Sequence, residues 1–290
     1  MMRRLRVAGA RLFAPRIRPA GPPALIVGTA RSGTSFTGAT LGAAQNAAYL
    51  REPVTFDVFR DHADLVPALA RRDPDPRLER LVDRAFSGRA HPARTVTLWP
   101  EQFRSSADTL VVKEVLPLSA GWMARRTGAR VLFIHRHPGA VIASWWRREW
   151  FGSPIEEQLA DTLRDRKVMD HRAARLAAIF AIQEEAMLTA AADLGGLAST
   201  VRYEDVALEP VATFRAASEH LGLVWTAERE EEIRSATDGT LRRDDGRSAD
   251  LVRRATDRVA AWQTELDADE RRAAAQGYEA LGGSMYRAEW

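Results

Sequence analysis

"ALIVGTARSGTSFTGATL", Ala24 to Leu41, passes from an apolar run through a turn of small residues into a helical pattern. A strand, a glycine-bearing turn and a helix in that order bring backbone N–H groups and the positive end of a helix to one point, an arrangement that receives an anion. Gly28 and Gly33 stand five apart with Thr34 and Ser35 following, the spacing of a phosphate-binding loop, but Thr34 occupies the position where a nucleotidase loop carries lysine. Arg31 supplies a cation, and Ser32, Thr34 and Ser35 supply hydroxyl donors. Without a ligand, the same stretch is a tight strand-to-helix turn capped by Ser32 or Thr34.

Four apolar runs have strand character: 24–29, 109–114, 130–135 and 197–204. Each is followed by helical periodicity, which predicts an α/β fold of three layers, P-loop-like, with a central, mostly parallel sheet flanked by helices. Functional residues then gather where strands end and helices begin. We expect a basic tail over 1–22 and a single domain over 23–290. A helical insertion at about 54–108 carries "DVFRDHADLVPALARR" and the turn-rich "DPDPR" and "SGRAHPAR", and suits a lid or acceptor wall. A proline-free helical stretch from Pro154 to Leu194 follows, then a last strand and three helices.

The 290 residues are 46% hydrophobic, enough for a substantial core, and a formal charge of +3 does not argue for nucleic acid. Without cysteine there is no disulfide, thiolate nucleophile or cysteine zinc site. The six histidines form no pair at helical metal-ligand spacing beside a carboxylate, so no metal is expected. The tail "MMRRLRVAGARLFAPRIRP" is interrupted by arginines throughout and has no apolar run to span a bilayer. It reads as a surface-lying segment able to touch anionic lipid, on an otherwise cytoplasmic protein.

A second anion corner stands in "RVLFIHRHPGAVIASWWRR". Arg136 directly follows a strand, Pro138 suits the first turn of a helix, and Ser144 lies two turns on. Two such corners at the ends of neighbouring parallel strands can hold the separated phosphates of one nucleotide. "TARSGTSF" followed by "RHPGAVIAS" resembles the paired signatures of sulfotransferases that use 3′-phosphoadenosine 5′-phosphosulfate (PAPS). The likeness continues in order through "LREP", "VVKE", "VRYEDVALEP", "HLGL" and "WQTEL", over about residues 24–266.

The resemblance implies that Arg31, Ser32, Gly33, Thr34 and Ser35 hold the 5′-phosphosulfate, that Arg136 and Ser144 bind the 3′-phosphate, and that Tyr203 lies by the nucleotide. Cytosolic aryl and steroid sulfotransferases carry lysine where Arg31 stands and a catalytic histidine where this chain has Val115. The arginine-type loop with a glutamate-proline dipeptide is instead similar to the carbohydrate and tyrosylprotein sulfotransferases, which implies Glu52 as the base. Read by itself, Glu52 is equally an N-cap before Pro53 or a partner of Arg31 or Arg51.

Lys113 departs from the chain's habit, since only Lys113 and Lys167 among 42 basic residues are lysines. A compact ammonium suits concentrated charge on a bridging oxygen, and with Arg31 and the loop amides it is expected to stabilise the bridging and sulfuryl oxygens in catalysis; alternatively it is a snorkelling strand-end residue. Glu114 orients it, pairs with it, or replaces Glu52 as the base. Trp145, Trp146, Trp150 and Phe151 share a helical face and read as core. Arg253, Arg254 and Arg258, in the arginine-rich segment 242–258, are candidate nucleotide contacts. The acceptor expected from the resemblance is a small-molecule or glycan hydroxyl, a carbohydrate or a glycosylated or lipidic metabolite. The rival readings are a P-loop kinase or nucleotidase and a non-catalytic nucleotide-binding protein.

Overall fold

The computed structural model describes residues 19–71, 75–88, 107–149, 159, 170–237 and 259–290. The chain opens with β1 (Ala24–Gly28), α1 (Thr34–Gly42), β2 (Ala47–Arg51) and α2 (Pro53–Asp61). It continues through the short α3 (Val66–Arg71), α4 (Pro76–Phe86), β3 (Thr109–Glu114), α5 (Ala120–Thr127), β4 (Arg130–His135) and α6 (Pro138–Trp146). The long α7 (Arg172–Leu194) leads to β5 (Ala198–Arg202), α8 (Tyr203–Leu208), α9 (Pro210–Leu221), α10 (Ala227–Thr237), α11 (Trp262–Glu265) and α12 (Ala268–Ala280).

The strands form one sheet in the order β2-β3-β1-β4-β5, and every neighbouring pair is parallel. The apolar run of β1 is buried throughout because helices cover both faces of a parallel sheet. On one face Ile26, Val111, Leu132 and Ile134 pack with Leu41 of α1 and with Phe214 and Leu221 of α9. On the other, Leu25, Val27, Val112 and Phe133 pack with Val54 and Val58 of α2 and with Ile179 and Phe180 of α7. Burying each such side chain contributes roughly 1.5–3 kcal/mol. Gly28 lies opposite Ile134 and Arg51 opposite Lys113, so the exits of β1 and β4 are adjacent, as are those of β2 and β3.

Three expectations are corrected. A fifth strand, β2, is built from "AAYLR", whose alanines have little strand preference; its pairing with β3 decides its state. The last strand stops at Arg202, and Tyr203 and Glu204 open α8 instead. Among the described residues five helices follow that strand rather than three, because Pro210 and the stretch after Leu221 divide the helical pattern. Of the expected helical stretch 154–194, residues 172–194 form α7; all but Leu159 of 154–169 lie outside the described residues.

Candidate functional site

The turn after β1 is held from behind by its carbonyls. Ser32 N donates to Thr29 O at 3.0 Å, Trp145 Nε1 donates to Ala30 O at 3.3 Å, and the Arg136 guanidinium donates to Arg31 O at 3.0 Å. Thr29 Oγ1 is anchored to Gln183 Oε1 on α7 at 2.8 Å. Gly33 has φ 93°, and a Cβ there would lie 2.2 Å from the Tyr203 ring, so both backbone and packing require glycine. The expected side-chain cap from Ser32 or Thr34 is absent: Gly33 itself occupies the N-cap position of α1. The Ser32 hydroxyl is buried with no hydrogen-bond partner among the described residues.

Arg31, Arg136, Ser144 and Tyr203 come together at the adjoining exit of β4. Arg31 Nε donates to the buried Ser144 Oγ at 3.0 Å, and the Arg136 guanidinium lies over the Tyr203 ring, 4.3 Å from its centroid. Arg31 thus reaches from the first loop into the corner formed by β4 and α6. Thr34 is buried in the first turn of α1, and Ser35 beside it is half-buried.

At the exits of β2 and β3, Lys113 Nζ donates to Glu52 Oε1 at 2.6 Å, and Glu52 N donates to Lys113 O at 2.6 Å. Lys113 is 1% exposed and the Glu52 side chain 15%. Burial pulls the Lys113 ammonium below the usual lysine range, and the charge of Glu52 opposes that pull. Gly38 of α1 gives the lysine room, since a Cβ there would lie 3.0 Å from Lys113 Cγ. Arg51 Nε also reaches Glu52 Oε1, at 3.4 Å. Arg31 and Glu52 are two of the three non-glycine residues with positive φ among the described residues, at 75° and 53°. That conformation costs of order 1–3 kcal/mol per residue and persists where the surroundings over-determine it.

Glu114 goes elsewhere. It is fully buried on the opposite face of the sheet, accepting from Val54 N at 2.7 Å, Thr55 N at 3.1 Å and Thr55 Oγ1 at 2.5 Å. It therefore caps the first turn of α2, the task open to Glu52, whose own side chain makes no cap hydrogen bond. Burial pushes the Glu114 carboxyl up to about 7, against the hydrogen bonds from Thr55 and Val54. Neither orienting nor pairing Lys113 is its observed contact.

Trp145 is buried edge-to-face against Phe180, and Trp146 Nε1 donates to Glu270. Trp150, Phe151 and the segment 242–258, with Arg253, Arg254 and Arg258, lie outside the described residues. Sequence reading passed over Gln183, whose only signal was a polar residue on the buried side of a helix. It also passed over His137, whose Nδ1 accepts from Gly139 N at 3.1 Å and caps α6. Among the described residues no three histidine or carboxylate side chains converge as metal ligands, and no helix is long and apolar enough to cross a membrane.

A family model described as "Sulfotransferase family" matches residues 22–227. A search of curated protein sequences gives no match. Among solved structures, the chain is similar to the sulfotransferase domain of a Synechococcus olefin synthase, at 16% identity and TM-score 0.49, covering 93% of this chain and 98% of that one. It is similar to retinol dehydratase in complex with retinol and PAP, at 14% identity and TM-score 0.49, over 96% of this chain and 86% of that one. A sulfotransferase from Alicyclobacillus acidocaldarius matches at 18% identity and TM-score 0.41, over 87% of this chain and 100% of that one.

Proposed function

The chain belongs to the sulfotransferase family, and from that premise we propose that it transfers a sulfuryl group from PAPS to a hydroxyl of a carbohydrate or of a glycosylated or lipidic metabolite. The observation that carries this reading is the buried Lys113 ammonium, 2.6 Å from Glu52 at the ends of β2 and β3, one strand from a loop suited to an anion. The glutamate-proline dipeptide, with Val115 in place of a histidine, supports likeness to the carbohydrate and tyrosylprotein branch.

PAPS supplies the sulfuryl group and departs as 3′,5′-bisphosphoadenosine (PAP). The loop 29–33, with the Ser32 hydroxyl, Thr34 and Ser35, receives the 5′ end. Arg136 and Ser144, with Arg31 across them, receive the 3′-phosphate, and the Tyr203 ring lies at the same corner. Lys113 offers its ammonium to the oxygen that gains charge as the sulfur–oxygen bond breaks, and Glu52 takes the acceptor's hydroxyl proton. Sulfuryl transfer resembles phosphoryl transfer in relying on positioning and fixed charge, and the sulfuryl group carries less negative charge, so these cations suffice.

The test is incubation of the purified chain with sulfur-labelled PAPS and panels of sugars, glycolipids, phenols and tyrosine peptides, following both label transfer and PAP release. Label on sugar or glycolipid hydroxyls supports the reading. Label confined to phenols or peptide tyrosine redirects the acceptor class, and no nucleotide binding or transfer refutes the activity.

A further inference from the structure

The backbone behind Arg136 is held by groups from the far end of the chain. His137 N donates to Glu204 Oε1 at 3.0 Å, and the other oxygen of that carboxylate accepts from Tyr286 Oη at 2.9 Å. Both side chains are buried. Burial, and then the charge of Glu204, hold the Tyr286 phenol above its ordinary range, so it remains an O–H donor. Arg202 clamps the same unit: its guanidinium lies over the Tyr286 ring, 4.6 Å from the centroid, and donates to both oxygens of Glu289 at 2.7 Å.

His137 passes this constraint onward. Its ring stacks on Trp262 at 4.1 Å and 15° and is flanked by Trp290 at 4.6 Å, while Nδ1 caps the helix that carries Ser144. Burial brings the imidazole down to about 3, which keeps Nδ1 an acceptor. A Cβ on Gly139 would lie 2.6 Å from the Trp262 ring, so the first turn of α6 is seated directly on that indole. The C-terminal residues thus press on the junction between Arg136 and the Ser144 helix.

We propose that Glu204, backed by Tyr286, is a positioning pair that fixes Arg136 and the start of α6, and thereby sets preference for a nucleotide bearing a 3′-phosphate over one bearing a 3′-hydroxyl. The proposal rests on the reading of Arg136 and Ser144 as the 3′-phosphate ligands. A guanidinium recognises phosphate through directed hydrogen bonds, so loosening its backbone weakens the 3′-phosphate contact. The 5′ contacts on the loop after β1 lose one support, the Arg136 bond to Arg31 O, but keep those of Ser32 N to Thr29 O and of Thr29 to Gln183, and so weaken less.

The experiment is calorimetric titration of PAP and of 5′-AMP into the wild-type chain and the variants Arg136→Ala, Glu204→Gln and Tyr286→Phe. Glu204→Gln and Tyr286→Phe should each lower the PAP-to-AMP affinity ratio about five- to tenfold, the scale of one hydrogen bond, with AMP affinity little changed. If both keep the wild-type ratio while Arg136→Ala loses it, the positioning role is overturned and the nucleotide reading stands. Equal weakening of PAP and AMP, with a lowered melting temperature, marks a merely structural role and also overturns it. If the wild-type chain shows no preference for PAP, or Arg136→Ala preserves that preference, the nucleotide reading itself fails and the proposal with it. Should Glu204→Gln not fold, Tyr286→Phe, which keeps the ring and removes only the hydroxyl, decides the matter.

Discussion

Replacing Glu52 by glutamine keeps the side chain's shape and one acceptor oxygen but removes its charge and its ability to take a proton. If Glu52 is the base, the chemical step should slow by about 10²–10⁴-fold. The substitution also acts through Lys113, which is 1% exposed and has Glu52 Oε1 at 2.6 Å. Breaking a buried ion pair typically costs about 3–5 kcal/mol. Here the lysine can escape by losing its proton, which from the ordinary lysine value of 10.5 caps the penalty at about 5 kcal/mol at pH 7. The retained amide oxygen brings the expected loss to about 1–3 kcal/mol, a fall of several degrees in melting temperature.

Two causes of a slower rate must then be separated, a missing base and a lysine that has become neutral. Without the opposing charge of Glu52, burial depresses Lys113 further, so lowering the pH restores its ammonium but cannot restore a base. Single-turnover rates across pH, PAP titrations and thermal melts on the same preparation distinguish the cases. A rate deficit that persists at low pH, with PAP affinity kept, supports the base. A deficit that vanishes at low pH assigns the loss to Lys113. An unchanged rate at all pH values rules out both the base role of Glu52 and its hold on the Lys113 charge.

Activity should survive excess chelator, because the proposed charge stabilisation uses fixed cations; loss on chelation with recovery on adding magnesium would favour a P-loop kinase. Gly277→Ala should lower the urea midpoint by an overpacking cost of about 1–3 kcal/mol or more, since its Cβ would lie 2.0 Å from Ala174 O where α12 crosses α7; an unchanged midpoint would show that the helices separate freely. Glu114, raised to about 7 from the ordinary 4.5, keeps its proton in the folded chain after the unfolded chain has lost it, so its contribution is full below about pH 4.5 and is lost as pH rises through 7, a span worth about 3 kcal/mol. Glu114→Gln should therefore flatten the fall in melting temperature between about pH 4.5 and 7, and an identical slope in the variant would refute the assignment.

Much of this was legible because it rests on local pattern. The turn between β1 and α1 declares itself by small residues between an apolar run and a helix, and Pro138 marks the start of α6 at the second corner. The missing strand failed for a physical reason: "AAYLR" becomes extended through its ladder with β3, a long-range pairing without a local sign. Glu204 and Trp262 stand in the motifs "VRYEDVALEP" and "WQTEL" without a role legible there, and Tyr286 carries no local sign, because their meeting at His137 is created by chain reversal over long separations. The direction of Arg31, across the loop to Ser144, was also invisible, because sequence placed the two in separate corners.

The fate of the carboxylates around Lys113 follows from the two-residue period of a strand. Lys113 and Glu114 are consecutive at the end of β3 and must face opposite sides of the sheet. The lysine passes beneath Gly38 of α1, while the glutamate turns to the first N–H groups of α2. That cap has a consequence for Glu52, which sits at the N-cap position of the same helix and would ordinarily satisfy those donors itself. With Glu114 bound to Val54 and Thr55, Glu52 can take the left-handed backbone at φ 53° and direct its carboxylate to Lys113. A buried carboxylate that caps the helix on one side of the sheet therefore leaves a second carboxylate to meet Lys113 on the other. The two glutamates have divided roles that a single one, at either position, could not fill.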